Sequence, residues 1–196
     1  MKTRLIQITG CLGLILWLAA CGTSPPNDYY RLTTVDSPST SGNQPALGIG
    51  PVNIPEYLNR SGLVYSEGGN QLTIAERHRW AEPLDQGINR VVAINLADLL
   101  DTENLRYYPW SQDDVPEYGV KLNVLELDVV GGEAILVVDW LLYRPGKNDD
   151  ISRRMSRLTQ ALPSPMQPSQ LAPAYSALLY QFSELIAAAI RSAEAP

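Results

Sequence analysis

The sequence predicts an α+β fold: an antiparallel sheet with two main helices packed on one face. Three observations carry this. Apolar residues recur at helical spacing twice, over 83–100 and again from about Ser169 to Arg191. Between them lie strand-like runs joined by hairpin signals. The strands do not alternate with helices as a parallel βαβ sheet would require.

The elements follow in order. Lys2 and Arg4 precede Leu5–Ala20, an apolar stretch broken only by Gln7 and Thr9. It is short for a spanning helix and right for a secretory core. Leu18-Ala19-Ala20-Cys21 has the form of a bacterial lipobox, with cleavage before Cys21 and acylation of its sulfur. Residues 1–20 are thus read as a lipoprotein signal peptide, 21–28 as a lipidated tether and 29–196 as a single periplasmic α+β domain. The polar, Pro-rich stretch Gly22–Asp28 reaches at most about 25 Å when extended. The folded part is therefore expected close to the bilayer. Gly22, rather than an acid, after the cysteine favours the outer membrane.

Tyr29–Thr33 is a short strand by its β-branched and aromatic content, and 36–45 is a loop by composition. Leu47–Ile54 is a strand ended by Pro55. Leu63–Ser66 and Gln71–Ala75 form a hairpin around Gly68-Gly69-Asn70. The first helix starts at Pro83, which suits a first turn where its missing N–H costs nothing. It ends near Asp101. Arg106–Tyr108 is a short strand closed by Pro109. Tyr118–Val130 switches face between Val124 and Leu125, which predicts a bulge. Gly131-Gly132 is a two-residue turn. Ala134–Tyr143 is nearly all apolar, so both its faces need cover. Residues 144–150 are a turn, and Ile151–Leu162 is more polar, hence nearer an edge. Pro163, Pro165 and Pro168 stiffen the approach to the last helix.

Composition excludes several function classes. The 196 residues carry 15 basic and 21 acidic side chains, a net charge of −6 and a pI of about 4.8. Loss of Lys2 and Arg4 with the leader leaves 13 basic against 21 acidic, a net of −8. Polyanion binding needs clustered Lys and Arg, so nucleic acid is not an expected partner. One histidine and two cysteines leave no metal set. Cys11 leaves with the leader and the Cys21 sulfur is acylated, so no disulfide is expected. No cofactor is implied, and Gly48-x-Gly50 lacks the rest of a phosphate loop. No catalytic residue is assigned. His78 sits between Arg77 and Arg79 without a nucleophile, and Glu82 with Asp85 suits a helix N-terminus by charge alone. Arg153, Arg154 and Arg157 are read as a solvated edge, and Asp113-Asp114 and Asp149-Asp150 as solvated turns.

Two segments stand out as partner-contact candidates. Tyr57, Leu58 and Arg60 lie in a loop with large apolar side chains, either a partner surface or a packed Ω-like loop. Arg79, Trp80 and Glu82 precede the first helix, either as a docking element or as the packed entrance to that helix.

Tyr29-Tyr30-Arg31-Leu32, Gly48-Ile49-Gly50-Pro51-Val52, Ile54-Pro55-Glu56-Tyr57-Leu58-Asn59-Arg60, Arg79-Trp80-Ala81-Glu82-Pro83-Leu84 and Tyr108-Pro109-Trp110 occur in series after the lipobox. In this order the chain resembles the ABC-type transport auxiliary lipoproteins. The family has an aspartate where Asn59 stands. The resemblance implies a non-enzymatic lipoprotein, lipid-anchored in the outer membrane and facing the periplasm. It implies partnership with a mammalian-cell-entry (MCE) domain protein and its ABC permease system, which move lipids or hydrophobic molecules across the envelope. A homo-oligomer is expected from it as well. Two other readings remain open: a module that itself holds an acyl chain between sheet and helices, and a hydrolase using His78, Glu82 and Asp85.

Intact-mass analysis of the protein from membranes is expected to show a chain starting at Cys21 with a thioether-linked glyceride. A free sulfhydryl at Cys21 would refute this.

Overall fold

The fold is seen in a computed structural model that describes residues 25–35, 40–66, 69–111, 113–147 and 149–195. The leader, Cys21, Gly22 and Gly68 lie outside the described residues, as do 36–39 of the expected loop. The strands are Asp28–Tyr30 (β1), Leu47–Asn53 (β2), Gly62–Ser66 (β3), Leu72–Trp80 (β4), Leu105–Tyr107 (β5), Tyr118–Val130 (β6), Glu133–Arg144 (β7) and Asp149–Ala161 (β8). The helices are Leu84–Leu99 (α1) and Leu171–Glu194 (α2).

The α+β class holds, with both helices against one five-stranded sheet, ordered β5-β2-β6-β7-β8. The sheet is mixed rather than wholly antiparallel. β2 runs parallel to both β5 and β6, while β6, β7 and β8 form an antiparallel meander. The physical reason lies in the connections. Residues 54–117 separate β2 from β6, long enough for a crossover, whereas hairpin turns force antiparallel neighbours. A second, three-stranded sheet has the order β1-β4-β3, with β1 parallel to β4.

The meander follows from local chemistry. Tyr118, Val120, Leu122 and Val124 face the helices. The register then shifts between Val124 and Glu126, and this bulge returns Leu127 and Val129 to the same face. Without the extra residue, every side chain beyond it would be on the wrong side. Gly131 and Gly132 adopt φ of 62° and 83°, the backbone of a type I′ hairpin turn. In β7, Ala134, Leu136, Val138, Trp140 and Leu142 join the core, while Ile135 and Leu141 are buried on the opposite face. β8 is the edge, as its polarity predicts, but it begins at Asp149, so the two aspartates lie in the strand. Asp149 accepts a hydrogen bond from Arg144 Nη1 at 3.2 Å.

Pro83 caps α1 and Asp85 lies in its first turn. At the other end Asp101 takes a φ of 51°, and the Thr102 N–H returns to the Ala97 carbonyl at 2.9 Å. α2 buries Tyr175, Leu178, Leu179, Phe182, Ile186 and Ile190. Two buried serines sit on the same helix, and their hydroxyls donate to carbonyls one turn back, Ser176 to Ala172 at 2.7 Å and Ser183 to Leu179 at 2.8 Å. Phe182 meets Trp140 edge-on, with centroids 5.9 Å apart. Trp140 Nε1 donates to Ser156 Oγ at 3.0 Å, so the indole is satisfied at the sheet edge.

β4 is longer than its sequence suggests. It pairs with β3 over its first half and with β1 over its second, Asp28 opposite His78 and Tyr30 opposite Trp80. The polar run Glu76-Arg77-His78-Arg79 hides this strand from periodicity, because its β1 partners stand 50 residues away in the chain.

The phenol of Tyr175 is buried and has no hydrogen-bond partner among the described residues. Burial, then the nearby Asp128 and Tyr57, push its pKa far above the ordinary 10.0. A raised folded pKa means this contribution is intact below about pH 10 and lost as pH rises beyond it. Tyr175→Phe is expected to raise stability at neutral pH by up to about 1 kcal/mol and to weaken the alkaline loss. Thermal unfolding from pH 7 to pH 11 measures both.

Candidate functional site

The segment that leads into α1 is the most constrained corner of the molecule. The Trp80 N–H donates to Ser61 O and the Ala81 N–H to Tyr30 O, each at 2.7 Å, so three strands converge where the helix begins. Trp80 is buried and its ring lies 6.4 Å from that of Tyr175. Glu82 turns along the helix, where Arg90 holds its carboxylate through Nη2 and Nε. The same Nη2 donates to Leu32 O at 2.9 Å. Arg90 thus ties one helical turn, the helix entrance and the chain after β1 to a single guanidinium.

Around this corner the sequence-selected residues divide. Leu58 and Trp80 belong to the core. Tyr57 packs against it in the single 3-10 turn Glu56–Leu58. Burial pushes the Tyr57 phenol above its ordinary value, the Leu127 backbone offsets part of this, and Asp128 and Glu126 add to the rise. Arg60 and Glu82 line a depression of about 310 Å³ with Ser61, Trp80 and Pro83. Arg79 is half-buried and donates to Ser61 Oγ at 3.0 Å. Asn59 is exposed at the end of the 3-10 turn. Cys21 lies outside the described residues.

A larger feature escaped the sequence reading. A groove of about 710 Å³ runs between α1 and the edge strand β5. Its walls include Pro51, Val52, Ile94 and Leu105, with Tyr107 and Tyr108 at the open side. Tyr107 is 80% exposed, which is unusual for a tyrosine in a strand. Glu82, Asp85, Asn89 and Arg90 supply its polar rim, so the groove and the smaller depression share Glu82. The available signal was the aromatic run Tyr107-Tyr108-Pro109-Trp110 on a three-residue strand too short to bury it.

Packing explains why the glycines of Gly48-Ile49-Gly50 face that run. A Cβ at Gly48 would lie 2.6 Å from Pro116 and 2.7 Å from Trp110. Gly50 has a φ of 125°, with Tyr108 Cβ 2.9 Å from where its own Cβ would stand. Asn89 donates to Ile49 O at 3.1 Å and fixes α1 over the same strand. These segments are a scaffold for the groove floor.

Elsewhere polar groups are engaged structurally. His78 Nδ1 is 2.9 Å from the Tyr30 hydroxyl and 3.8 Å from Asp28. Glu82 is held by Arg90 in an ion pair. Asp114 pairs with Arg106, and Arg157 with Glu126 at 3.5 Å. Trp140, Tyr118, Tyr175 and Phe182 fill the space between sheet and helices, where an acyl chain would have had to lie.

Comparison with known proteins gives a consistent result. The model of a family described as an ABC-type transport auxiliary lipoprotein component matches residues 30–187. The chain is 33% identical over 156 residues to the intermembrane transport lipoprotein PqiC of Escherichia coli strain K12, covering 75% of this chain and 77% of that one. The Shigella flexneri protein of the same name matches equally. Two crystal structures share the fold. One is an uncharacterized protein (22% identity, 85% of this chain and 99% of the other, TM-score 0.67). The second, from Xanthomonas campestris, is 14% identical over 82% and 92% of the two chains, with a TM-score of 0.65.

Arg90→Met removes both the Glu82 pair and the Leu32 bond while keeping the apolar stem. The pair is about one-third exposed, so screening limits its worth. A loss of roughly 1–2 kcal/mol is expected in urea unfolding, with a smaller effect when Glu82→Gln is already present.

Proposed function

This chain belongs to the ABC-type transport auxiliary lipoprotein family, and from that premise we propose that it docks an MCE-type transporter to the outer membrane. In this reading Cys21 carries the acyl anchor and the domain faces the periplasm. The partners are an MCE-domain protein and its ABC permease, moving lipids or other hydrophobic molecules between membranes. The observation that carries the reading is the family match over 30–187, with the likeness to a relative named as an intermembrane transport lipoprotein.

The mechanism is mechanical. Each buried acyl CH₂ contributes about 0.8 kcal/mol, so more than one chain holds the protein durably on the bilayer. Anchoring converts a search through volume into a search over a surface. The domain then presents a rigid contact face, and the groove beside α1 is the best candidate. It combines exposed aromatics with an arginine-and-carboxylate rim, the composition of an interface centre. Arg60 and Glu82 extend that rim around the helix entrance. Self-association of the domain is part of the proposal. No chemical step is assigned to any residue.

A second reading has one observation in its favour. The groove's volume and partly apolar walls are in the range of small-molecule sites, so the domain could carry an acyl chain there itself. Native mass spectrometry of freshly isolated protein would then show bound lipid.

A photo-crosslinking side chain at Tyr107 is expected to form an adduct with an MCE-domain protein in native membranes. Tyr107→Ala should reduce co-purification of that protein at least about tenfold with unchanged melting temperature. Adducts that never contain such a protein, at normal abundance of both, would refute the reading.

A further inference from the structure

The mature chain carries a net charge of −8, yet three arginines meet at one surface depression. Arg60 comes from the 3-10 loop, and Arg77 and Arg79 from the second half of β4. Pro25 and Asn27, the last stretch of the tether, line the same depression. We propose that this arginine face lies against the anionic headgroups of the bilayer that holds the protein's own acyl anchor, and so sets the orientation of the domain. The proposal rests on the reading that Cys21 is acylated.

Two observations identify a lipid surface as the occupant. The first is reach. Three residues lie between Cys21 and Pro25, and the four steps from one to the other span at most about 14 Å at full extension. Whatever surface holds Cys21 is therefore close to the depression that Pro25 lines. The second is chemistry. Guanidinium forks match phosphate geometry, and long arginine stems lie along apolar surface while the heads reach polar groups. Ile74, 45% exposed in the same depression, and Tyr29, 65% exposed and in register with Arg79, add an aliphatic and an aromatic group of the kind favoured at a bilayer interface. Two acids are nearby. Glu76 lines the depression, and Asp28 is 3.8 Å from His78. The three guanidiniums outnumber them.

The geometry also accounts for a local irregularity. β4 shifts register between its β3 partners, Arg79 opposite Gly62 but Ala75 opposite Leu63. Glu76, Arg77 and His78 therefore have no β3 partner in the ladder. Along the other edge of β4, β1 pairs with His78, Arg79 and Trp80, which brings the end of the tether beside Arg79.

The test uses the complete lipidated protein in vesicles of phosphatidylcholine alone or with phosphatidylglycerol. Cys11 is absent from the mature chain and the Cys21 sulfur is blocked, so one introduced thiol can be labelled. A fluorophore on Glu76→Cys reports the arginine face, and one on Met155→Cys reports the distant β8 edge. Quenching by a lipid with a nitroxide headgroup is expected to be several-fold stronger at position 76 than at 155, on phosphatidylglycerol vesicles only. Each arginine at an anionic surface is worth roughly a fivefold change in occupancy. Arg60→Gln with Arg77→Gln, or about 0.5 M salt, should return position 76 to its phosphatidylcholine level. Equal quenching at the two positions, or quenching indifferent to phosphatidylglycerol and to the arginines, overturns the proposal. Protein that stays on neither kind of vesicle fails at the anchor and overturns the proposal with it. Protein held by both kinds with equal quenching fails at the arginine face alone.

Discussion

One contact surface supports everything else in this molecule: the apolar stripe of α2 against the helix-facing side of β7 and β8. Tyr175, Leu178, Leu179, Phe182, Ile186 and Ile190 are withdrawn from water there, in one core with Trp140, Leu142, Val120 and Leu122. Each such side chain contributes about 1.5–3 kcal/mol on burial. The bulge at Leu125 follows from the same demand. A thirteen-residue strand can keep its apolar residues on the core side of the sheet only if its phase is corrected once along the way.

The small sheet and the α1 entrance are consequences of that packing. Tyr175 extends the α2 stripe past the large sheet, and Trp80 covers it. β4 must then reach Trp80, and β1 must accompany it. Ser176 fixes the chain after β1 by accepting the Thr33 N–H at 3.0 Å, and Arg90 fixes the Leu32 carbonyl of the same peptide unit on the α1 side. The segments that mark the family in sequence are the ones that make this junction. Their aromatic and carboxylate residues close the corner, which leaves the arginines and the groove beside α1 at its surface.

The two proposed working surfaces lie on different sheets and adjoin at the helix entrance, where Arg60 and Glu82 line the depression between them. The tether enters beside Arg60, Arg77 and Arg79, and the exposed Tyr107 stands on β5, an edge strand of the large sheet. α1 connects them, since Glu82 at its start borders the helix-entrance depression and Ile94 lies along the groove. The corner proposed to face lipid and the groove proposed to face a partner are thus held by one helix.

Much of this was legible without coordinates because it rests on short-range physics. Helical spacing over 83–100 and 169–191, the glycine pair at 131–132, the phase slip at Leu125 and the polarity of β8 each express a rule that neighbouring residues obey among themselves. Only the tertiary structure decided the parallel pairing of β2, the second half of β4, and which members of the Tyr57–Glu82 set turn inward. Leu58 and Trp80 are core residues because of Tyr175 and the strands around it, far away in the chain. Tyr107 is exposed because β5 is an edge strand of its sheet. Burial and parallel pairing depend on which distant segment arrives alongside, and a local pattern holds no record of that.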